Sequence, residues 1–151
     1  MGPLDLTKQR PRACTDTSAG GIATLARTID KARAELPGGN PGPYFTLKEG
    51  VRTLSGGLYR RFKADGAEFA RVVAESPDEA SVVAWFLERT TPGDISGWNA
   101  QITSVRIGEL DEAARTRLVT VYGAERLPDE MTLLGFIDDD DDRIWAAAEA
   151  R

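Results

Sequence analysis

The sequence predicts a mainly α-helical protein, a single compact multi-helix domain behind an extended N-terminal arm. Three observations carry that expectation. Apolar residues recur at helical rather than alternating spacing through most of the chain. Polar capping residues stand at the starts of several of those runs, and Gly or Pro stands at their ends. No stretch makes a convincing strand: Ile102–Ile107 and Leu118–Val121 hold β-branched residues, but both sit within better helical patterns.

Residues 1–20 show no period. Pro3 and Pro11, the charges of Lys8, Arg10 and Arg12, and the polar stretch Thr15–Gly20 describe an arm, with Leu4 and Leu6 as its anchors. The domain proper, 21–151, opens with a helix over Gly21–Leu36. Ile22, Leu25, Ile29, Ala32 and Leu36 make its apolar stripe. Gly38 and Gly39 stop it, and Pro41 and Pro43 prevent its resumption before Tyr44. Thr46-x-x-Glu49 is a capping box that opens a short helix ended by Ser55-Gly56-Gly57. Leu58, Tyr59 and Phe62 follow as a helical turn or a short connector, and Asp65 caps a helix running to Glu75.

Ser76-Pro77-Asp78-Glu79 marks the next start, with Ser76 as N-cap and Pro77 in the first turn. That helix reaches Thr90, with Val82, Val83, Phe86 and Leu87 on one face and Trp85 on the other. Asp94 caps a helix carrying Ile95, Trp98, Ile102 and Val105; another runs from Asp111 to Tyr122 and closes on Gly123. The last elements read as Met131–Ile137, an acidic turn at Asp138–Asp142, and a helix from Ile144. This makes six or seven helices packed around the first.

Composition narrows the chemistry. The 151 residues carry a net charge of −5, with +4 in the first 75 residues and −9 in the remainder. Acidity of this kind argues against nucleic acid as the main partner, which needs a dense cationic face. The opposite signs of the halves favour docking of one on the other, or a homodimer. No apolar run approaches the ~20 residues of a membrane span, and the N-terminus has no apolar core of a secretory signal. A single cysteine, Cys14, allows no internal disulfide and fits a cytoplasmic setting. Histidine is absent, so neither a Ser-His-Asp relay nor a His-ligated metal is available. Acid–base work near neutral pH falls to Asp, Glu, Lys, Tyr or Cys14 with shifted pKa, or to a bound cofactor. No cofactor and no metal site is expected; the Asp138–Asp142 run lacks the glycine turn and distal Glu of a calcium loop.

The segment Arg27–Arg33 is the most suggestive one. Arg27 and Arg33 flank Asp30 at i−3 and i+3, within reach of its carboxylate. Asp30 stands at the edge of the apolar stripe, and Lys31 points outward. One reading is an ion pair that fixes the helix against a neighbour; the other is a site. In the site reading Arg27 or Arg33 holds a small anionic metabolite. Asp30 acts as base or orienter and Tyr44 as a proton or hydrogen-bond donor. Lys31, Asn99 and Trp98 are further contributors. The reaction class would be proton transfer leading to elimination, isomerisation or hydrolysis. The competing function is a non-catalytic, homodimeric or partner-binding module that uses Trp85 as an exposed apolar face.

Leu4-Asp5-Leu6-Thr7-Lys8, then Pro11-Arg12, the pair Gly20-Gly21, and Leu25-Ala26-Arg27-Thr28-Ile29-Asp30-Lys31-Ala32-Arg33-Ala34 resemble the opening of a bacterial family, domain of unknown function 5069. Asp78–Trp85, Trp98-Asn99 and Ile137–Asp140 agree with it. The resemblance implies a small bacterial cytoplasmic protein and no particular activity. The chain departs from the pattern in a less Pro- and Ser-rich stretch from Lys8 to Gly20, in a longer Gly/Pro loop before Tyr44, and in lacking a glycine-rich tail.

Overall fold

Helix α1, Leu25–Ala34, is the element around which the others assemble, and seven of its ten residues are buried. The architecture is seen in a computed structural model that describes residues 1–44, 54–123 and 127–151. Within these stand α2 (Leu54–Phe62), α3 (Gly66–Glu75), α4 (Glu79–Leu87), α5 (Pro92–Ser104), α6 (Glu112–Tyr122) and α7 (Leu133–Glu149), with a 3₁₀ turn at Ile107–Glu109. The described residues contain no sheet, only isolated bridges between Asp5 and Asn40 and between Arg106 and Thr132. The helix expected from Thr46 lies on residues outside those described.

The core is aromatic at its centre. Phe62 meets Phe86 edge to face at 5.2 Å between ring centres, Phe69 meets Tyr59 at 5.4 Å, and Trp98 closes on Phe62 at 6.2 Å. Phe62, Phe69 and Phe86 are each essentially inaccessible, so each truncation to Ala costs about 3–5 kcal/mol. Leu25, Ala26 and Ile29 of α1 join this cluster, as do Val73, Val82, Leu134 and Ile137.

Local chemistry explains most of the element boundaries. Asp65 accepts from the Glu68 amide at 2.8 Å, and Asp111 from Ala114 at 2.7 Å, as their spacing leads one to expect. Gly123 ends α6 with φ 63°, the left-handed cap that suits glycine. Several boundaries differ from the sequence reading. Helix α1 opens at Leu25 rather than Gly21, because Gly20, Gly21 and Thr24 take left-handed φ values of 64°, 74° and 73°, and α4 ends at Leu87 rather than Thr90. The Gly56-Gly57 pair lies inside α2, because burial of Leu58, Tyr59 and Phe62 outweighs the ~1 kcal/mol helix cost of each glycine. The N-cap of α4 is Asp78, not Ser76, since its carboxylate accepts from both the amide and the hydroxyl of Ser81. The N-cap of α5 is Thr91, with Asp94 completing a capping box and Pro92 in the first turn. Finally, Asp138–Asp142 is no turn: α7 runs through it unbroken.

The acidic run stays helical because arginines and an amide meet it. At ~100° per residue, Asp138, Asp141 and Asp142 fall on one side of α7. There Asp138 accepts from the Cys14 amide at 2.8 Å, Asp141 pairs with Arg27, and Asp142 pairs with Arg10. Asp140 accepts from Arg143 at 3.0 Å.

Residues 1–20 are threaded across the helices. Leu6, Pro11, Cys14 and Ala19 are buried. Leu6 donates its amide to the Asn40 carbonyl at 2.8 Å, and Leu4 accepts from the Asn40 amide at 3.0 Å. Gly20 has φ 64°, and a Cβ there would stand 2.9 Å from a Val83 methyl, so only glycine fits the crossing. Trp85 is half-buried, not an exposed face: Phe69 packs at 6.2 Å and the Arg89 guanidinium lies 3.9 Å over its ring. Among the described residues, Val119 is the exposed large apolar side chain.

Candidate functional site

Two charged residues of α1 are buried, and each has its own distant partner. Asp30 is 5% exposed. Its Oδ2 accepts from the Arg12 amide at 2.8 Å and from Arg12 Nε at 3.0 Å; its Oδ1 accepts from Nη2 at 2.8 Å. Arg12 also grips Glu79 through two bonds of 2.8 and 2.7 Å. Glu79 and then Asp30 hold the Arg12 guanidinium above its ordinary pKa, so it stays charged. The sequence reading expected Arg27 and Arg33 to embrace Asp30. Instead Arg33 donates to the Gly2 carbonyl at 2.9 Å, and Arg27 turns to Asp141. The carboxylate of Asp30 is thereby committed to tying residue 12 to α1.

Trp98 and Asn99 are committed elsewhere. The Trp98 indole N–H donates to the Ala23 carbonyl at 2.9 Å. Asn99 accepts from the Ala23 amide at 2.9 Å and donates to the Gly21 carbonyl at 2.8 Å. Together they clamp the turn that enters α1, where Thr24 adopts φ 73°, a strained value for a β-branched residue. The Thr24 hydroxyl is buried there without a hydrogen-bond partner among the described residues.

Arg27, Lys31 and Tyr44 converge. They line one pocket of about 160 Å³, completed by Pro43, Val121 and Tyr122 from one side and by Asp140, Asp141 and Ile144 of α7 from the other. Lys31, expected to point outward, is half-buried, because Tyr44 and the end of α6 cover that side of α1. Tyr44 packs with Leu6 and Ala34 in a small apolar cluster of its own.

The electrostatics of this pocket are graded. Arg27 and Asp141, 6% and 3% exposed at their side chains, neutralise each other, with one bond at 3.1 Å and a shorter one beside it. Burial, and then the Arg27 charge, brings the Lys31 ammonium down to about 8. Burial pushes the Asp140 carboxyl up. Burial, with Asp141 next, pushes the Tyr44 phenol up, and burial does the same for Tyr122. The Tyr44 hydroxyl is buried and has no hydrogen-bond partner among the described residues. The arrangement therefore offers an amine that titrates at about 8 beside two protonated phenols.

Cys14 is fully buried, and burial raises its thiol far from the thiolate range. Among the described residues, no group of Cys, Asp or Glu side chains is arranged to hold a metal ion. Tyr122, Asp140 and Asp141 were not foreseen as pocket residues. The acidic run was visible as a charge cluster, but Tyr122 carries no sequence signal that distinguishes it from a core aromatic.

Fold and pocket define a small all-α protein built on a central helix with buried ion pairs and a polar pocket at one flank. The chain belongs to the family described as Domain of unknown function (DUF5069), whose model matches residues 8–143, from the threaded N-terminal segment to the middle of α7. No curated protein matches the chain.

Proposed function

We propose that the protein binds a small polar metabolite in the pocket between α1, α6 and α7, and that Lys31 and Tyr44 perform proton transfer on it without a cofactor. The observation that carries this reading is the buried, unpartnered Tyr44 hydroxyl at a pocket also lined by Lys31. A buried hydroxyl without a partner is costly, and a ligand acceptor relieves that cost. The pocket, at about 160 Å³, is smaller than the ~300–1,000 Å³ usual for drug-sized ligands, which points to a compact molecule of a few heavy atoms. Arg27 and Asp141 cancel, so the Lys31 amine favours an anionic or electrophilic group on the ligand. Asp30, Arg33, Trp98 and Asn99 support the scaffold in this reading rather than touch the ligand. We place this work in a bacterial cytoplasm, in keeping with the lone buried cysteine and the family resemblance.

The test is thermal-shift screening of a panel of small carboxylates and carbonyl compounds on the wild type and on Tyr44→Phe. A compound at a hundred times its Kd adds about 2.7 kcal/mol to wild-type stability, and should add distinctly less to Tyr44→Phe. A compound that shifts both equally, or a panel that shifts neither, would remove the support for this reading.

A further inference from the structure

We propose that Lys31 is a nucleophilic amine that forms an imine with a small carbonyl compound held in the α1/α6/α7 pocket. This rests on the pocket reading above and gives it a substrate class. The placement is the first argument. Lys31 lies one helical turn after Arg27, and their shared side of α1 is roofed by Tyr44 and Tyr122 and faced by Asp140 and Asp141. An amine beside a fixed guanidinium, in a partly dehydrated wall, is the environment that keeps a lysine neutral enough to attack a carbonyl. A carbonyl compound of a few heavy atoms also suits the volume.

The charged and titratable groups around the amine oppose one another. Arg27 acts with burial to disfavour the ammonium. Asp141 and Glu35 favour it, and burial and Arg27 win. With its titration brought from 10.5 to about 8, Lys31 holds on the order of a hundred times more unprotonated amine near neutral pH than an exposed lysine. Tyr44, kept protonated by burial, supplies the acid.

The step balances without an oxidant or reductant. The Nζ lone pair attacks the carbonyl carbon; the C–N bond forms as the C=O π pair moves to oxygen. That oxygen takes a proton, with Tyr44 as donor, and the nitrogen releases one, leaving a neutral carbinolamine. The C–O bond then breaks as its hydroxyl is protonated, and water departs. The nitrogen lone pair closes the C=N bond as an iminium, which then releases its N–H proton and so returns the one spent on the hydroxyl. Amine and carbonyl become imine and water.

The chain has four lysines, and exposed Lys8 and Lys63 serve as internal references. The full-length protein is treated near neutral pH with cyanoborohydride and either pyruvate, an anionic carbonyl, or propanal, a neutral one, and the adducts are mapped by peptide mass spectrometry. Lys31 should be labelled at least tenfold faster than Lys8 and Lys63 by one probe or both, and Tyr44→Phe should slow Lys31 alone. Labelling by propanal only assigns a neutral carbonyl, and labelling by pyruvate an anionic one; either supports the proposal. Equal labelling of Lys31 and the reference lysines overturns it. Lactate, which has the shape of pyruvate without the carbonyl, separates the two readings. If lactate raises the melting temperature of the wild type but not of Tyr44→Phe while Lys31 stays unlabelled, the pocket stands and the imine is refuted. If lactate has no effect and Lys31 is unlabelled, both fall.

Discussion

Asp141→Asn tests whether the Arg27–Asp141 pair holds α7 to the central helix. Both side chains are almost inaccessible, at 6% and 3%, and the carboxylate is joined to both terminal guanidinium nitrogens. At about 4 Å and an effective dielectric of roughly 20, a unit charge pair is worth about 4 kcal/mol. Removing one member of a buried pair costs about 3–5 kcal/mol, chiefly because the remaining charge is left uncompensated. The amide of Asn keeps one acceptor but turns an N–H toward a guanidinium, so about 3 kcal/mol is expected. At roughly 2–4 °C per kcal/mol for a chain of this size, the melting temperature falls by about 10 °C. Urea unfolding followed by tryptophan fluorescence reads the free energy directly. The double variant Arg27→Met/Asp141→Leu removes both charges and fills the space. It should be more stable than the summed single losses imply, with a coupling of at least about 2 kcal/mol. A cost below about 1 kcal/mol for Asp141→Asn, or strict additivity in the cycle, would refute the argument that this pair is a buried structural link.

Asn99→Ala leaves the Ala23 amide and the Gly21 carbonyl without their side-chain partner; a loss of about 1–3 kcal/mol is expected in urea unfolding, and an effect under about 0.5 kcal/mol would contradict the clamp at the start of α1. The depressed Lys31 titration sets a pH dependence of known sign: between about 8 and 10.5 the unfolded chain holds the proton that the folded chain has released, so stability rises with pH in that window. The wild type should therefore gain up to about 3 kcal/mol relative to Lys31→Met on going from neutral pH to pH ~10, and parallel stability curves for the two proteins would show that Lys31 is not electrostatically penalised.

The helices were legible because their signals are local. Asp65, Asp111 and Gly123 act within one turn of themselves, and they stand where the sequence placed them. The errors arose where a long-range contact outvoted a local one. Gly56-Gly57 would end an isolated helix, but Leu58 and Phe62 drag the chain through them into the core. Five consecutive Asp residues would disfavour a helix in water, but Arg27, Arg10 and the Cys14 amide come from more than a hundred residues away to meet them. Of the residues the sequence reading named for a site, Arg27, Lys31 and Tyr44 line one pocket, and the Gly/Pro loop brings Tyr44 there. Lys31 was read as pointing outward, because the apolar stripe was taken as the buried side of α1, although the i+4 spacing sets it one turn from Arg27. Assigning Arg27 to Asp30 failed because the i+3 neighbour, though near, lost to a partner on another element that offers both of its oxygens in a fitting plane.

That contest also explains why the pocket lies where it does. A helix buried on nearly all sides must satisfy every charge it carries, and α1 carries Arg27, Asp30, Lys31 and Arg33. Asp30 is satisfied by the threaded N-terminal segment, Arg27 by α7, and Arg33 by the Gly2 carbonyl at the surface. Lys31 faces the flank where these layers part, between a loop tyrosine and the end of α6, in surroundings that disfavour its charge. Further anionic side chains packed into that flank would have raised the titration of the amine and filled the cavity. A chain selected only for stability gains by doing so, so an open flank with a depressed amine and an unsatisfied phenol is where ligand chemistry has to be sought.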